Sequence, residues 1–135
     1  MRLIIGYGNP LRGEDGFGVD VIKELEECCP EATRLLQVHT LTPELVLEMQ
    51  EVDEVVFVDA AYSDDDLYAI ASPLLRFDSM LSHHIQPDTL MEMLEKLYEK
   101  KPEYWVYSML TNSFETINDK TKYEEAIKTL ISHLR

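Results

Sequence analysis

Cysteines and long apolar runs are scarce in this sequence, and each scarcity excludes a class of protein. The 135 residues include two cysteines, Cys28 and Cys29, and these are adjacent. Adjacent cysteines do not form an ordinary structural disulfide, so we expect reduced thiols and a cytoplasmic protein. No apolar run approaches the ~20 residues that span a bilayer, and no secretory signal pattern opens the sequence. Neither a membrane protein nor a secreted one is predicted.

Basic residues are also few. Lys and Arg total 12 against 26 Asp and Glu, which gives a formal net charge of −14. So acidic a chain is a poor partner for nucleic acid or for an anionic membrane. Residues 1–67 hold 16 acids and 4 bases, whereas residues 68–135 hold 10 acids and 8 bases. This asymmetry favours a cation or a basic partner surface near the first half, although solubility alone would explain it equally well.

Several common catalytic and nucleotide-binding motifs are missing. The chain has no Gly-x-Ser-x-Gly elbow, no His-Glu-x-x-His helix, no Cys-x-x-Cys pair and no P-loop. Gly6 and Gly8 follow a predicted strand, as in a dinucleotide fingerprint, but Leu11 occupies the third glycine position. The second strand ends on His39 instead of a ribose-binding acid. Nucleotide binding is therefore not predicted.

Apolar periodicity predicts strands that alternate with helices. Strands are expected at residues 2–7, 33–39, 54–59, 67–77 and 104–110, the fourth at a sheet edge because Pro73 interrupts it. Helices are expected before Pro30, from Thr42 to about residue 50, from Pro87 onward and at the C-terminus. Cys28 and Cys29 continue the apolar stripe of the first helix and are expected in the core. The pattern predicts an α/β protein, a three-layer α/β/α sandwich with a mostly parallel central sheet, formed by one domain over residues 1–135.

Acidic and imidazole side chains follow several of these elements. Glu14 and Asp15 lie in the loop after the first strand, Asp59 ends the third, and His83 and His84 precede the Pro87 helix. The carboxyl ends of parallel strands converge, and nearby carboxylates repel each other unless a proton or metal lies between them. Two carboxylates and one imidazole would leave an open coordination position, as in catalytic metal sites. Each residue taken alone could equally be a helix cap or a solvated loop residue.

One family resemblance brings these residues together. Residues 6–19 (GYGNPLRGEDGFGV) resemble the opening signature of the hydrogenase maturation endopeptidases. Residues 41–45 (LTPEL), 56–60 (VFVDA) and 82–84 (SHH) match further family segments in the same order, so the resemblance spans most of the chain. Residues 39–42 (HTLT) depart from the Asp-Gly-Gly-Thr segment of many members.

The resemblance implies an aspartic-type endopeptidase. It would remove the C-terminal extension from the large-subunit precursor of a [NiFe] hydrogenase after nickel insertion. Carried over by motif position, the catalytic and metal-recognising residues are Asp15, Asp59 and His84. Glu14 and His83 are the adjacent alternatives, and His39 is a possible additional imidazole. Nickel would arrive with the precursor, so we expect no tightly bound cofactor, no partner other than the precursor, and a monomer. The resemblance leaves open whether the metal activates water or only recognises the substrate.

Two alternatives come from other functional classes. A receiver-like signalling domain also carries an acidic pair after its first strand and a phosphoryl-accepting Asp after its third, around Mg²⁺. Against it, residues 108–110 (SML) provide no Lys at the end of the last strand. A non-catalytic metal-binding scaffold is the other alternative.

Overall fold

The computed structural model describes residues 1–71 and 85–135. Within these residues the strands are β1 (Arg2–Tyr7), β2 (Thr33–Val38), β3 (Glu54–Tyr62), β4 (Ile70–Ala71) and β5 (Glu103–Thr111). The α-helices are α1 (Phe17–Glu27), α2 (Pro87–Tyr98) and α3 (Lys120–Leu134), and two 3₁₀ helices span Gly13–Gly16 and Pro43–Glu48. None of the helices in these ranges is long and apolar enough to cross a membrane.

The strands form one sheet in the order β2-β1-β3-β5-β4. The pairings β1–β2, β1–β3 and β3–β5 are parallel, and only the short edge strand β4 pairs antiparallel, with β5. Alternation of strands and helices predicted this arrangement, because each parallel crossover needs a connection that returns over the sheet. The predicted fold class is confirmed.

Alternate residues of the central strands enter two separate cores. On one face, Ile4, Val56, Val58 and Met109 pack beneath α1 and α3. On the other face, Leu3, Ile5, Val55, Phe57 and Val106 pack against α2 and the second 3₁₀ helix. A sheet that is buried on both faces has nearly continuous apolar strands, and the sequences of β1 and β3 are of this kind. Three layers follow from this burial.

Two glycines bring α1 directly onto the strand backbones. A Cβ on Gly18 would lie 2.2 Å from the carbonyl oxygen of Val58 and 2.7 Å from the amide nitrogen of Tyr7. A Cβ on Gly6 would lie 2.1 Å from the carbonyl oxygen of Gly18. Only glycine permits backbones to approach this closely. The start of α1 is thereby fixed against β1 and β3, close to their carboxyl ends.

The structure refines one helix prediction and corrects another. The helix expected from Thr42 to about residue 50 is observed as a 3₁₀ helix over Pro43–Glu48. The first helix ends at Glu27, so Cys28 and Cys29 are exposed free thiols and not core residues. Pro30 accounts for this early end, because a proline disfavours helical backbone angles in the residue before it.

Two strand predictions also differ from the structure. The third strand continues past Asp59 to Tyr62, and among the described strands this extension pairs with β5 and not with β1. The predicted strand at 67–77 is observed as Ile70–Ala71. Its remaining part, residues 72–77, lies outside the described residues, as do His83 and His84.

Candidate active site

The carboxyl ends of β1 and β3 lie side by side. Gly6 of β1 is registered with Val58 of β3, so Tyr7 and Asp59 leave this pair of strands at the same edge of the sheet. Asp15 follows β1 through the loop of residues 8–16, and β2 ends at the same edge, just before the exposed His39. The first and third strands are therefore direct neighbours, and we call this edge the carboxyl rim.

Asp59 is a buried carboxylate at the rim, with a fractional exposure of 5%. The hydroxyl of Tyr7 donates to its Oδ2 at 2.7 Å, and the hydroxyl of Ser108 donates to its Oδ1. Ser108 is the β5 residue registered with Asp59. These two bonds, one to each carboxylate oxygen, hold Asp59 in one orientation.

Asp15 is held differently. It is half-buried, and its Oδ2 accepts a hydrogen bond from the backbone amide of Asn9 at 3.0 Å. Its own amide donates to the carbonyl of Arg12 at 3.0 Å. Among residues 1–71 and 85–135, Oδ1 of Asp15 has no hydrogen-bond donor. This carboxylate can therefore offer one oxygen to a cation.

The turn at Gly8 folds the Asp15 loop back onto the end of β1. Gly8 has φ of +138°, and a Cβ there would lie 2.0 Å from the carbonyl oxygen of Asp15. Such a φ is accessible to glycine and strained for other residues. The glycine thus has a structural role in the loop that presents Asp15.

Glu14 has a different environment from both acids. Its fractional exposure is 1%, and its carboxylate accepts hydrogen bonds from the hydroxyls of Tyr68 and Thr111 and from the amide of Asn118, the last at 2.9 Å. Burial, followed by the adjacent Glu14, raises the pKa of the Tyr68 phenol to about 12, so this hydroxyl stays protonated and able to donate at neutral pH.

Alternation along β5 places Glu14 and Asp59 on opposite faces of the sheet. Ser108 has the parity of Val106, which packs on the α2 side, whereas Thr111 has the parity of Met109, which packs beneath α1 and α3. Asp59 bonds to Ser108 and Glu14 bonds to Thr111. Of the two adjacent acids, the geometry therefore favours Asp15 as the one available to a ligand.

The imidazoles proposed as third ligand, His84 or the adjacent His83, lie outside the described residues. Within the part of the chain that the structure describes, no three His, Cys, Asp or Glu side chains are grouped so that they could hold a metal ion. The set of Asp15, Asp59 and His84 thus stays a prediction, with its two carboxylates placed on rim segments and its imidazole unplaced.

Sequence reasoning missed the hydroxyl partners of the acids. Tyr7 could have been suspected, since it ends the strand beside Asp59. Ser108 could not, because its role depends on the register between β3 and β5, which are far apart in sequence. The same holds for Tyr68 and Thr111, which reach Glu14 from two different segments.

Comparison with known proteins supports this fold over the whole chain. No family model and no curated protein matches the sequence. Among solved structures, the [NiFe] hydrogenase maturation protease HycI from Thermococcus kodakarensis is 22% identical, with a TM-score of 0.75 over 98% of this chain and 88% of that one. The maturating endopeptidase HybD from E. coli is 19% identical, with a TM-score of 0.70 over 99% and 91%. The endopeptidase HycI from E. coli is 14% identical, with a TM-score of 0.77 over 99% and 88%. The chain therefore has the fold of the hydrogenase maturation proteases.

Proposed function

We propose that this protein is an endopeptidase that removes the C-terminal extension of a [NiFe] hydrogenase large-subunit precursor once nickel has been inserted. The observation that carries the proposal is the carboxyl rim. In a fold shared with hydrogenase maturation proteases along nearly the full length of both chains, the half-buried Asp15 and the buried Asp59 follow neighbouring parallel strands.

The rim suits recognition of a metal that the substrate delivers. Carboxylate oxygens and an imidazole nitrogen suit a borderline divalent ion, and Asp15, Asp59 and His84 are the proposed ligands. Asp59 is oriented by two hydroxyls, and Asp15 retains an oxygen without a described donor. Three protein ligands leave a coordination position for nickel that is still bound by the precursor.

Nickel in this proposal is part of the substrate. Binding of the nickel at the rim places the adjoining peptide bond next to the site, and this proximity raises the rate of cleavage. A divalent ion there also supplies Lewis-acid polarisation of a neighbouring carbonyl. Because the sequence lacks the usual nucleophile and zinc-protease motifs, both recognition and activation depend on the delivered metal.

The test compares nickel-loaded and nickel-free precursor, each incubated with purified enzyme and scored by loss of the C-terminal tail. We expect cleavage of the loaded precursor only, and none of an isolated tail peptide. Asp15→Asn is the matched control, since it keeps the shape of the side chain and removes its charge. Equal cleavage of both precursor forms by the wild-type enzyme would refute nickel recognition and leave peptidase activity intact.

The setting proposed for this reaction is the cytoplasm, with the enzyme acting as a monomer. The exposed, unpaired Cys28 and Cys29 suit a reducing compartment. Sedimentation of the purified protein at micromolar concentration should give the mass of a single 15.6 kDa chain. A dimer at that concentration would contradict the monomer.

The receiver-like alternative is not supported. It requires both acids of the first loop to share a metal with Asp59, whereas the Glu14 carboxylate lies across the sheet from Asp59 and binds Tyr68 and Thr111. Failure of Asp59 to accept phosphate from a small phosphoryl donor would agree with this. A non-catalytic scaffold would bind the precursor in the nickel experiment without shortening it.

A further inference from the structure

The buried Glu14 connects three separate segments of the chain. The phenol of Tyr68, in the turn before β4, donates to Glu14 Oε2 and accepts from the amide of Asp119 at 2.9 Å. The amide of Asn118 donates to the same Oε2 at 2.9 Å, and the hydroxyl of Thr111, at the end of β5, donates to Oε1. We call Glu14, Tyr68, Thr111, Asn118 and Asp119 the Glu14 clamp.

Two features of the clamp cost free energy, which suggests that it has a function. Among the described residues no Lys or Arg forms an ion pair with Glu14, so a carboxylate with 1% exposure is solvated by neutral donors alone. Removing an unpaired charge from water is costly unless hydrogen bonds compensate. Tyr68 also has φ of +68°, a left-handed conformation that a bulky residue adopts only when its surroundings enforce it.

The buried carboxylate belongs to the residue next to Asp15, and the strained Tyr68 is held against it by a hydrogen bond. Glu14 and Asp15 occupy the 3₁₀ turn Gly13–Gly16. That turn also rests on the segment between β5 and α3, since a Cβ on Gly13 would lie 2.4 Å from Cα of Thr116. The Asp15 carboxylate is therefore carried on a turn that both the Glu14 hydrogen bonds and the Gly13–Thr116 contact restrain.

We infer that Glu14 is a positioning residue, and that its clamp holds the Asp15 carboxylate at the rim in the orientation that the reaction needs. This role rests on the proposed function. It does not require Glu14 to touch substrate or metal. It assigns the adjacent acids different tasks, with Asp15 binding and Glu14 holding the loop that carries it.

The test uses Tyr68→Phe, with Tyr123→Phe as the matched control. Both phenols donate to a carboxylate at 2.5 Å, but Tyr123, which is the more buried of the two, bonds to Asp20 in α1, outside the Asp15 loop. Amide hydrogen exchange is followed at Asn9, whose amide donates to Asp15 Oδ2. We expect Tyr68→Phe to speed exchange at Asn9 about tenfold relative to core amides, and to lower kcat for processing with little change in KM.

Tyr123→Phe should speed exchange at Asn9 no more than it speeds exchange at core amides. Should Tyr68→Phe not fold, Thr111→Val removes the other hydroxyl, and Thr111→Ser, which retains it, should restore both slow exchange and kcat. The inference is overturned if Asn9 exchange responds equally to the Tyr68 and Tyr123 variants, or if Asn9 exchange becomes faster while kcat is unchanged.

Exchange is measured on the enzyme alone. A response at Asn9 with no processing by the wild type would therefore refute the proposed function while showing that the clamp orders the loop.

Discussion

At the scale of single residues, substitutions of the two rim acids should differ in their effect on the free energy of unfolding, although both should abolish processing. Asp59→Asn places an amide NH₂ among two hydroxyl donors, Tyr7 and Ser108, and should destabilise the protein by about 1–3 kcal/mol. Asp15→Asn should change stability by no more than about 0.5 kcal/mol, because the asparagine oxygen can still accept from Asn9. Both variants should lose processing. Urea unfolding and the tail-removal assay measure the two properties independently.

Tyr7→Phe is the control for this pair, since it removes one donor to Asp59 and leaves both charges in place. Intermediate processing by this variant would show that orientation of Asp59 contributes to the rate. Wild-type processing by Asp15→Asn would contradict the assignment of Asp15 as a ligand, whatever its stability.

At the scale of elements, the approach of α1 to the sheet depends on Gly18. Alanine inside a helix normally improves stability by up to about 1 kcal/mol over glycine. Here the new Cβ would fall 2.2 Å from the Val58 carbonyl, and backbone cannot yield as a flexible side chain does. We expect Gly18→Ala to lower the free energy of unfolding by about 1–3 kcal/mol, measured by urea titration. Processing should also fall, because the contact lies beside Tyr7.

Ser132→Ala on the exposed side of α3 provides the comparison, as it changes helix propensity without a contact of this kind. It should be neutral or slightly stabilising. A neutral Gly18→Ala would mean that α1 can move away from β3 at little cost.

The same elements show how far sequence patterns determine the fold. The bounds of β1 were predicted correctly because a short apolar strand is delimited by a glycine-rich loop. A helix near residues 43–48 was predicted without its type, since apolar spacing over one or two turns does not distinguish 3₁₀ from α. The adjacency of Asp59 and the first loop followed from parallel topology. The bond of Asp59 to Ser108 depends on the register of β3 with β5, and the bond of Glu14 to Thr111 joins residues far apart in sequence, so no local pattern encodes either.

At the scale of the whole molecule, the negative charge is concentrated in residues 1–67, which supply the Asp15 loop, Asp59 and the exposed turn of Asp64, Asp65 and Asp66. A field of this sign at the carboxyl rim attracts a basic surface and accelerates encounter, and dissolved salt screens it. The precursor surface that docks at the rim should therefore be comparatively basic. We expect kcat/KM for processing to fall about tenfold between 0.05 and 0.5 M salt while kcat stays constant, since screening affects association and not chemistry.

A pair of charge-removing variants locates the effect. Asp65→Asn removes one charge beyond the carboxyl end of β3, and Glu31→Gln removes one at the opposite, amino end of the sheet, before β2. Both side chains are exposed, so the two changes have equal effects on net charge and negligible effects on packing. If the rim field steers the precursor, Asp65→Asn should lower kcat/KM and weaken its salt dependence, whereas Glu31→Gln should leave both near the wild-type values. Equal responses would mean that only the net charge of the protein matters, and salt-independent processing would remove steering altogether.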